Sequence, residues 1–125
     1  MSHKVLLVDD SSLARRSTRR ILEGAGYEVV EAEDGMAAIE CYFVEKPDVV
    51  MLDLVMKGMY GLEVLSKLRE MDPDARVVVL SADIQTSSRD LVQAAGAAGF
   101  LSKPADPKQM LDMVARAAER GDAWS

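Results

Sequence analysis

Val5-Leu6-Leu7-Val8-Asp9-Asp10 is an unbroken apolar run ended by two acids. Apolarity without polar alternation suits a strand covered on both faces, as in a parallel sheet, whereas a strand with one wet face alternates. The same reading applies to Val49 to Leu52, which ends in Asp53, and to Val77 to Leu80, which ends in Ser81. Two weaker runs, Tyr27 to Val30 and Gly99 to Leu101, read as less buried strands at the sheet edges.

The intervening segments have helical spacing. A first helix starts after Ser11 or Ser12, either of which can cap it, and runs to about Gly24 with Leu13, Ser17, Ile21 and Leu22 inward. A second runs from about Gly35 to Glu45, before Pro47, with Met36, Ile39 and Phe43 on one face. A third, Gly61 to Met71, uses Leu62, Leu65 and Leu68 and stops at Asp72-Pro73. A fourth lies near Ser87 to Gly96, and a fifth, Asp106 to Arg120, turns Met110, Leu111, Val114 and Ala117/Ala118 inward. Regular alternation of strand and helix predicts a doubly wound α/β domain, a five-stranded parallel sheet between five helices. The weakest strands are the second and fifth, which suits strand order 2-1-3-4-5, with those two at the edges.

Composition narrows the function. The chain has 125 residues, 49% of them hydrophobic and 29% charged, which is the size and balance of one globular domain. We expect residues 1–121 to form that domain and 122–125 to be a short tail. The net charge of -6 and pI near 4.7 argue against a broad phosphate-tracking surface, so no direct nucleic-acid binding is expected. Cys41 is the only cysteine, which excludes an internal disulfide. The opening MSHKVLLVDD is too short in its apolar part for a signal-peptide core or a membrane span, so a cytoplasmic protein without membrane insertion is expected.

In such a sheet, ligands bind beyond the carboxyl ends of the strands, where strand order reverses. Those ends carry Asp9 and Asp10, Asp53, Ser81, and Ser102-Lys103-Pro104. Three converging carboxylates repel one another unless a cation neutralises them. Oxygen ligands and retained water suit Mg²⁺, with Mn²⁺ as a substitute. Asp53 is then placed to attack phosphorus, and Lys103 and the Ser81 hydroxyl to balance charge on the transferred oxygens. Ala82 is small enough to leave the phosphorus accessible.

VLLVDDS (5–11), DLVMKGMYG (53–61), VVLSA (78–82) and GFLSKP (99–104) together resemble the signature segments of response-regulator receiver domains. The resemblance spans essentially the whole chain. It implies that Asp53 is the phosphoacceptor, that Asp9 and Asp10 organise Mg²⁺ with the backbone carbonyl of Val55, and that Lys103 and Ser81 contact the phosphoryl group. It also implies that Phe100 is an aromatic switch drawn inward with Ser81, and that the Lys103-Pro104 peptide is cis. Implied partners are a histidine kinase or phosphotransfer protein as donor, and a target protein at the face of the fourth helix, fifth strand and fifth helix. The protein is expected to be a monomer or a phosphorylation-linked dimer.

The chain departs from the family pattern at Lys57, where proline is usual, and at Tyr60, where an acid is frequent. Val55 lacks a side-chain hydrogen bond for an attacking water, whereas Asp83 has one to offer; a phosphorylated state lasting minutes or longer is expected. Arg15, Arg16, Arg19 and Arg20 form a basic patch on the first helix, read either as a solvated face or as a kinase-docking edge. A degenerate receiver typically lacks at least one of Asp9, Asp10, Asp53, Ser81 and Lys103. An aspartate-nucleophile phosphatase wants a second acid where Val55 stands, and a nucleotide binder wants a phosphate loop where Asp9 and Asp10 stand. Read as complete, the chain leaves no room for a DNA-binding helix-turn-helix and acts by protein contacts, in chemotaxis-type signalling or a phosphorelay; the other reading is a receiver piece of a longer regulator.

Overall fold

The computed structural model describes residues 3–54, 61–82 and 86–119, with backbone only for 86–88. Its elements alternate along the chain as β1 (Lys4–Val8), α1 (Ser12–Gly24), β2 (Glu28–Ala32), α2 (Gly35–Glu45), β3 (Val49–Asp53), α3 (Gly61–Met71), β4 (Val77–Ser81), α4 (Thr86–Ala94), β5 (Gly99–Ser102) and α5 (Pro107–Ala118). The sheet is parallel throughout, in the order β2-β1-β3-β4-β5. The expected fold and strand order are those observed.

Two apolar layers account for the unbroken runs. Side chains alternate across a strand, so Leu6, Val8, Val50, Leu52, Val77 and Val79 face one layer, where α2, α3 and α4 supply Ala38, Tyr42, Val64, Leu65, Leu68 and Val92. Val5, Leu7, Val49, Met51, Val78 and Leu80 face the other, where α1 and α5 supply Leu22, Met110, Val114 and Ala117. The three central strands lie between two helical layers, so apolar residues are favourable at every position. Each fully buried Leu or Val contributes about 1.5–3 kcal/mol.

Helix starts are capped as their sequences allow. The Ser11 hydroxyl accepts from the Ala14 N–H at 3.2 Å, Asp34 Oδ1 from Ala37 at 2.8 Å, and Asp106 Oδ2 from Gln109 at 3.2 Å, with Pro107 entering the first turn of α5.

Two expected helix faces differ from those observed. Leu13 is 75% exposed, and Ser17 is exposed where it lines the groove between α1 and α5, whereas Leu22 is buried and Ile21 partly so. Leu13 and Leu22 are nine positions apart, which at about 100° per residue sets them on opposite sides of α1. On α2, Met36 and Phe43 point outward, while Gly35, Ala38 and Tyr42 are buried and Ile39 is partly covered. That helix is apolar nearly all round, so periodicity alone selects no side. The buried side holds Tyr42, whose hydroxyl donates to Asp72 Oδ2 at 2.6 Å.

Candidate functional site

Strand register fixes which residues meet at the carboxyl edge of the sheet. Val8 pairs with Leu52, Asp53 with Leu80, and Ser81 with Ser102. Asp9 therefore leaves β1 beside Asp53, and Lys103 leaves β5 one step past Ser81. The order reverses between β1 and β3, since β1 continues outward to β2 while β3 leads to β4 and β5, and the crevice lies at that switch point.

Side chains converge there as expected. One carboxylate oxygen each from Asp9, Asp10 and Asp53 lies within 4.8 Å of the others. Lys103 Nζ closes the cluster, at 3.1 Å from Asp9 Oδ2 and 3.3 Å from Asp53 Oδ2. The Asp9 and Asp53 side chains are only 9% and 12% exposed, so water screens these charges weakly. Burial draws the Lys103 ammonium toward neutrality, but its hydrogen bond to Asp9 and the charges of Asp53 and Asp9 outweigh that effect and raise its pKa. Lys103 stays charged at neutral pH.

Backbone bonds hold the frame. The Asp9 N–H donates to Ala32 O at 3.2 Å, the Leu54 N–H to Leu80 O at 2.9 Å, and the Lys103 N–H to Ser81 O at 2.8 Å. Asp9 Oδ1 accepts from the Ser11 N–H at 2.9 Å, which turns its carboxylate. Ser81 is fully buried at the end of β4, and the following Ala82 is exposed beside Lys103 and Pro104 in a groove of about 420 Å³ between α1 and α5. The Lys103-Pro104 peptide is cis, as the resemblance implied. Phe100 is partly buried and packs against the layer formed with α2, α3 and α4. Val55 and Asp83, with Lys57 and Tyr60, lie outside the described residues, as does the 122–125 tail.

Three contacts were not legible in the sequence. Arg15, on the first turn of α1, donates through Nη1 to the Asp9 carbonyl and through Nε to Glu31 Oε1 at 3.0 Å. Arg19 also binds Glu31, and reaches Glu23 at 3.1 Å. Hydrogen bonding from Arg19 pulls the Glu31 carboxyl below its ordinary range against the opposing effect of partial burial, and Arg15 adds to it. The basic patch is thus divided: Arg15 and Arg19 are engaged with Glu31, and Arg16 and Arg20 are exposed. The third contact is at Gly61, whose N–H donates to Leu54 O at 2.9 Å, so the first residue of α3 meets the residue that follows Asp53.

An acidic, lysine-closed crevice at the switch point of a doubly wound sheet defines a site able to hold a hard cation and an anionic group together. The chain belongs to the response regulator receiver domain family, whose model matches residues 5–115. It is similar to the chemotaxis protein CheY of Thermotoga maritima, 36% identical over 115 residues that cover 91% of this chain and 96% of that one. It is also similar to the nitrate/nitrite response regulator protein NarP of Escherichia coli, 39% identical over 124 residues, 98% of this chain and 58% of NarP. The crystal structure of a two-component response regulator of the LuxR family from Aurantimonas superposes with a TM-score of 0.93 at 28% identity, covering all of this chain and 90% of that one. Receiver domains are signalling modules of two-component systems, not turnover enzymes.

Proposed function

We propose that the chain accepts a phosphoryl group on Asp53 from a histidine kinase or phosphotransfer protein and switches its protein contacts in response. The observation that carries this reading is the convergence of the Asp9, Asp10 and Asp53 oxygens within 4.8 Å, with Lys103 across Asp9 and Asp53. Oxygen ligands from carboxylates at that spacing fit Mg²⁺ or Mn²⁺, held by the three acids with the Val55 carbonyl. When bound, the ion neutralises the clustered charge and polarises phosphoryl oxygens.

In the transfer, an Asp53 carboxylate oxygen forms the new bond to phosphorus. The bond from phosphorus to the donor imidazole nitrogen breaks, and its electron pair leaves with the imidazole. Lys103 is charged and within reach of Asp53, so it turns from the carboxylates to the incoming phosphoryl oxygens. Ser81, drawn toward the same group, loosens the end of β4, and Phe100 moves with it. The face of α4, β5 and α5 is then the output surface, read by a target protein. Val55 and Asp83 set a lifetime of minutes or longer.

The receiver spans residues 1–121, acts in the cytoplasm without direct nucleic-acid contact, and is a monomer or a phosphorylation-linked dimer. Among the described residues no helix is long and apolar enough to cross a membrane. On α1, the outward stripe of Leu13, Arg16 and Arg20 is the docking edge for the donor.

Incubation with acetyl phosphate and Mg²⁺, followed by intact-mass measurement, tests the central step. A phosphoryl adduct is expected on the native chain and not on Asp53→Asn. Equal labelling of both refutes the site assignment, and no labelling of either, with no beryllofluoride binding, makes the chain a phosphorylation-independent interaction module.

A further inference from the structure

Asp9 is held at every polar atom described for it. Its N–H is bound by Ala32 of β2, its Oδ1 by the Ser11 N–H, and its Oδ2 by Lys103. Its carbonyl accepts from the Arg15 guanidinium. The guanidinium is itself fixed from behind by Glu31, at the end of β2 and paired in register with Leu7 of β1. Arg15 thus bridges helix α1, the residue that follows β1 and the neighbouring strand β2, and its side chain is only 14% exposed.

The Asp9 carbonyl belongs to the peptide that joins Asp9 to Asp10. Holding that oxygen sets the peptide plane, and the plane sets the direction in which Asp10 leaves the chain. We infer that Arg15, anchored by Glu31, is a positioning residue that orients the Asp9-Asp10 pair toward Asp53 and so tunes divalent-cation affinity. This rests on the reading of the three acids as a metal site. Arg15 touches none of their carboxylates in the contacts described, so its action runs through the backbone.

Electrostatics and positioning predict opposite signs, which makes the assignment decidable. Arg15 and Arg19 balance Glu23 and Glu31, so this group of four is neutral as it stands. Removing the Arg15 charge leaves the surroundings more negative, which by charge alone draws a cation more tightly. Loss of positioning weakens binding instead, by about tenfold if it matches the usual effect of residues that orient metal ligands.

The test is titration of the metal-free chain with Mn²⁺, followed by electron paramagnetic resonance, for native, Arg15→Met, Arg15→Lys and Asp10→Asn, with thermal unfolding to establish that each is folded. Lysine keeps the charge but lacks the fork that reaches both the Asp9 carbonyl and Glu31. Weaker binding in both Arg15 variants is expected, about tenfold for Arg15→Met. Acetyl phosphate labelling should recover toward the native rate when Mg²⁺ is raised to saturation. Native-like affinity in either folded Arg15 variant, or tighter binding in Arg15→Met, overturns the inference. Saturable binding that is absent from the native chain or unaffected by Asp10→Asn overturns the metal-site reading beneath it.

Discussion

Gly61→Ala separates the geometry of the site from the stability of the fold. A Cβ added at Gly61 would lie 2.6 Å from the Asp53 carbonyl oxygen, 2.6 Å from Leu54 Cα and 2.8 Å from the Leu54 carbonyl oxygen. These neighbours are backbone atoms, which no rotamer change can move away. Ordinary contact begins near 3.4 Å, so the start of α3 and the end of β3 must separate by about 0.8 Å. Overpacking of this kind costs about 1–3 kcal/mol. For a domain of this size that corresponds to a melting temperature lowered by roughly 4–12 °C.

The displacement falls on the residue proposed to attack phosphorus. A misplacement near 1 Å can slow a reaction by about 100-fold, so labelling by acetyl phosphate should fall by roughly 10- to 100-fold in protein that is still folded. The control is Gly24→Ala at the end of α1, where an added Cβ meets nothing within 4 Å. It should label at the native rate and be neutral or slightly more stable, because alanine suits a helix better than glycine. Thermal unfolding and stopped-time mass measurement on the three proteins provide both quantities. Native labelling and a native melting temperature in Gly61→Ala refute the packing argument; a large loss of stability with full labelling of the folded fraction refutes its link to the site.

Other expected outcomes test separate parts of the structure. Leu65→Ala, deep in the layer between the sheet and α3, should cost about 2–5 kcal/mol in urea unfolding, and a loss below 1 kcal/mol would contradict its full burial. Glu31 has a lowered pKa, so its contribution to stability is fully present above the ordinary carboxylate range and lost as pH falls through its folded value; native protein should therefore lose more stability between pH 6 and roughly pH 3 than Glu31→Gln, and parallel curves would contradict the ion pair. Charge reversal at Arg16 and Arg20 should slow phosphotransfer from the donor protein while sparing acetyl phosphate, whereas equal slowing of both reactions would exclude a docking role.

Much of the crevice was legible because it lies at strand ends, and strand ends follow from short-range pattern. Val5 to Val8, Val49 to Leu52 and Val77 to Leu80 are unbroken because both faces of the central strands are covered, and the polar residues that stop them are Asp9, Asp53 and Ser81. Parallel order then carries those stops to one edge. Helix faces were less legible: Leu13 obeys a helical period with Ile21 but sits opposite Leu22, and α2 has apolar residues on every side.

The sequence by itself determined the alternation of strand and helix, the parallel sheet in the order 2-1-3-4-5, and the acids and lysine that meet at its edge. Only the tertiary structure decided which side of α1 and α2 is buried, that Arg15 and Arg19 pair with Glu31, and that Gly61 closes against Asp53 and Leu54. The physical reason is range. Periodicity and strand stops are set by neighbours along the chain, whereas a guanidinium that joins α1 to β2, or a helix-start glycine forced by the backbone at the end of β3, depends on elements brought together by the fold.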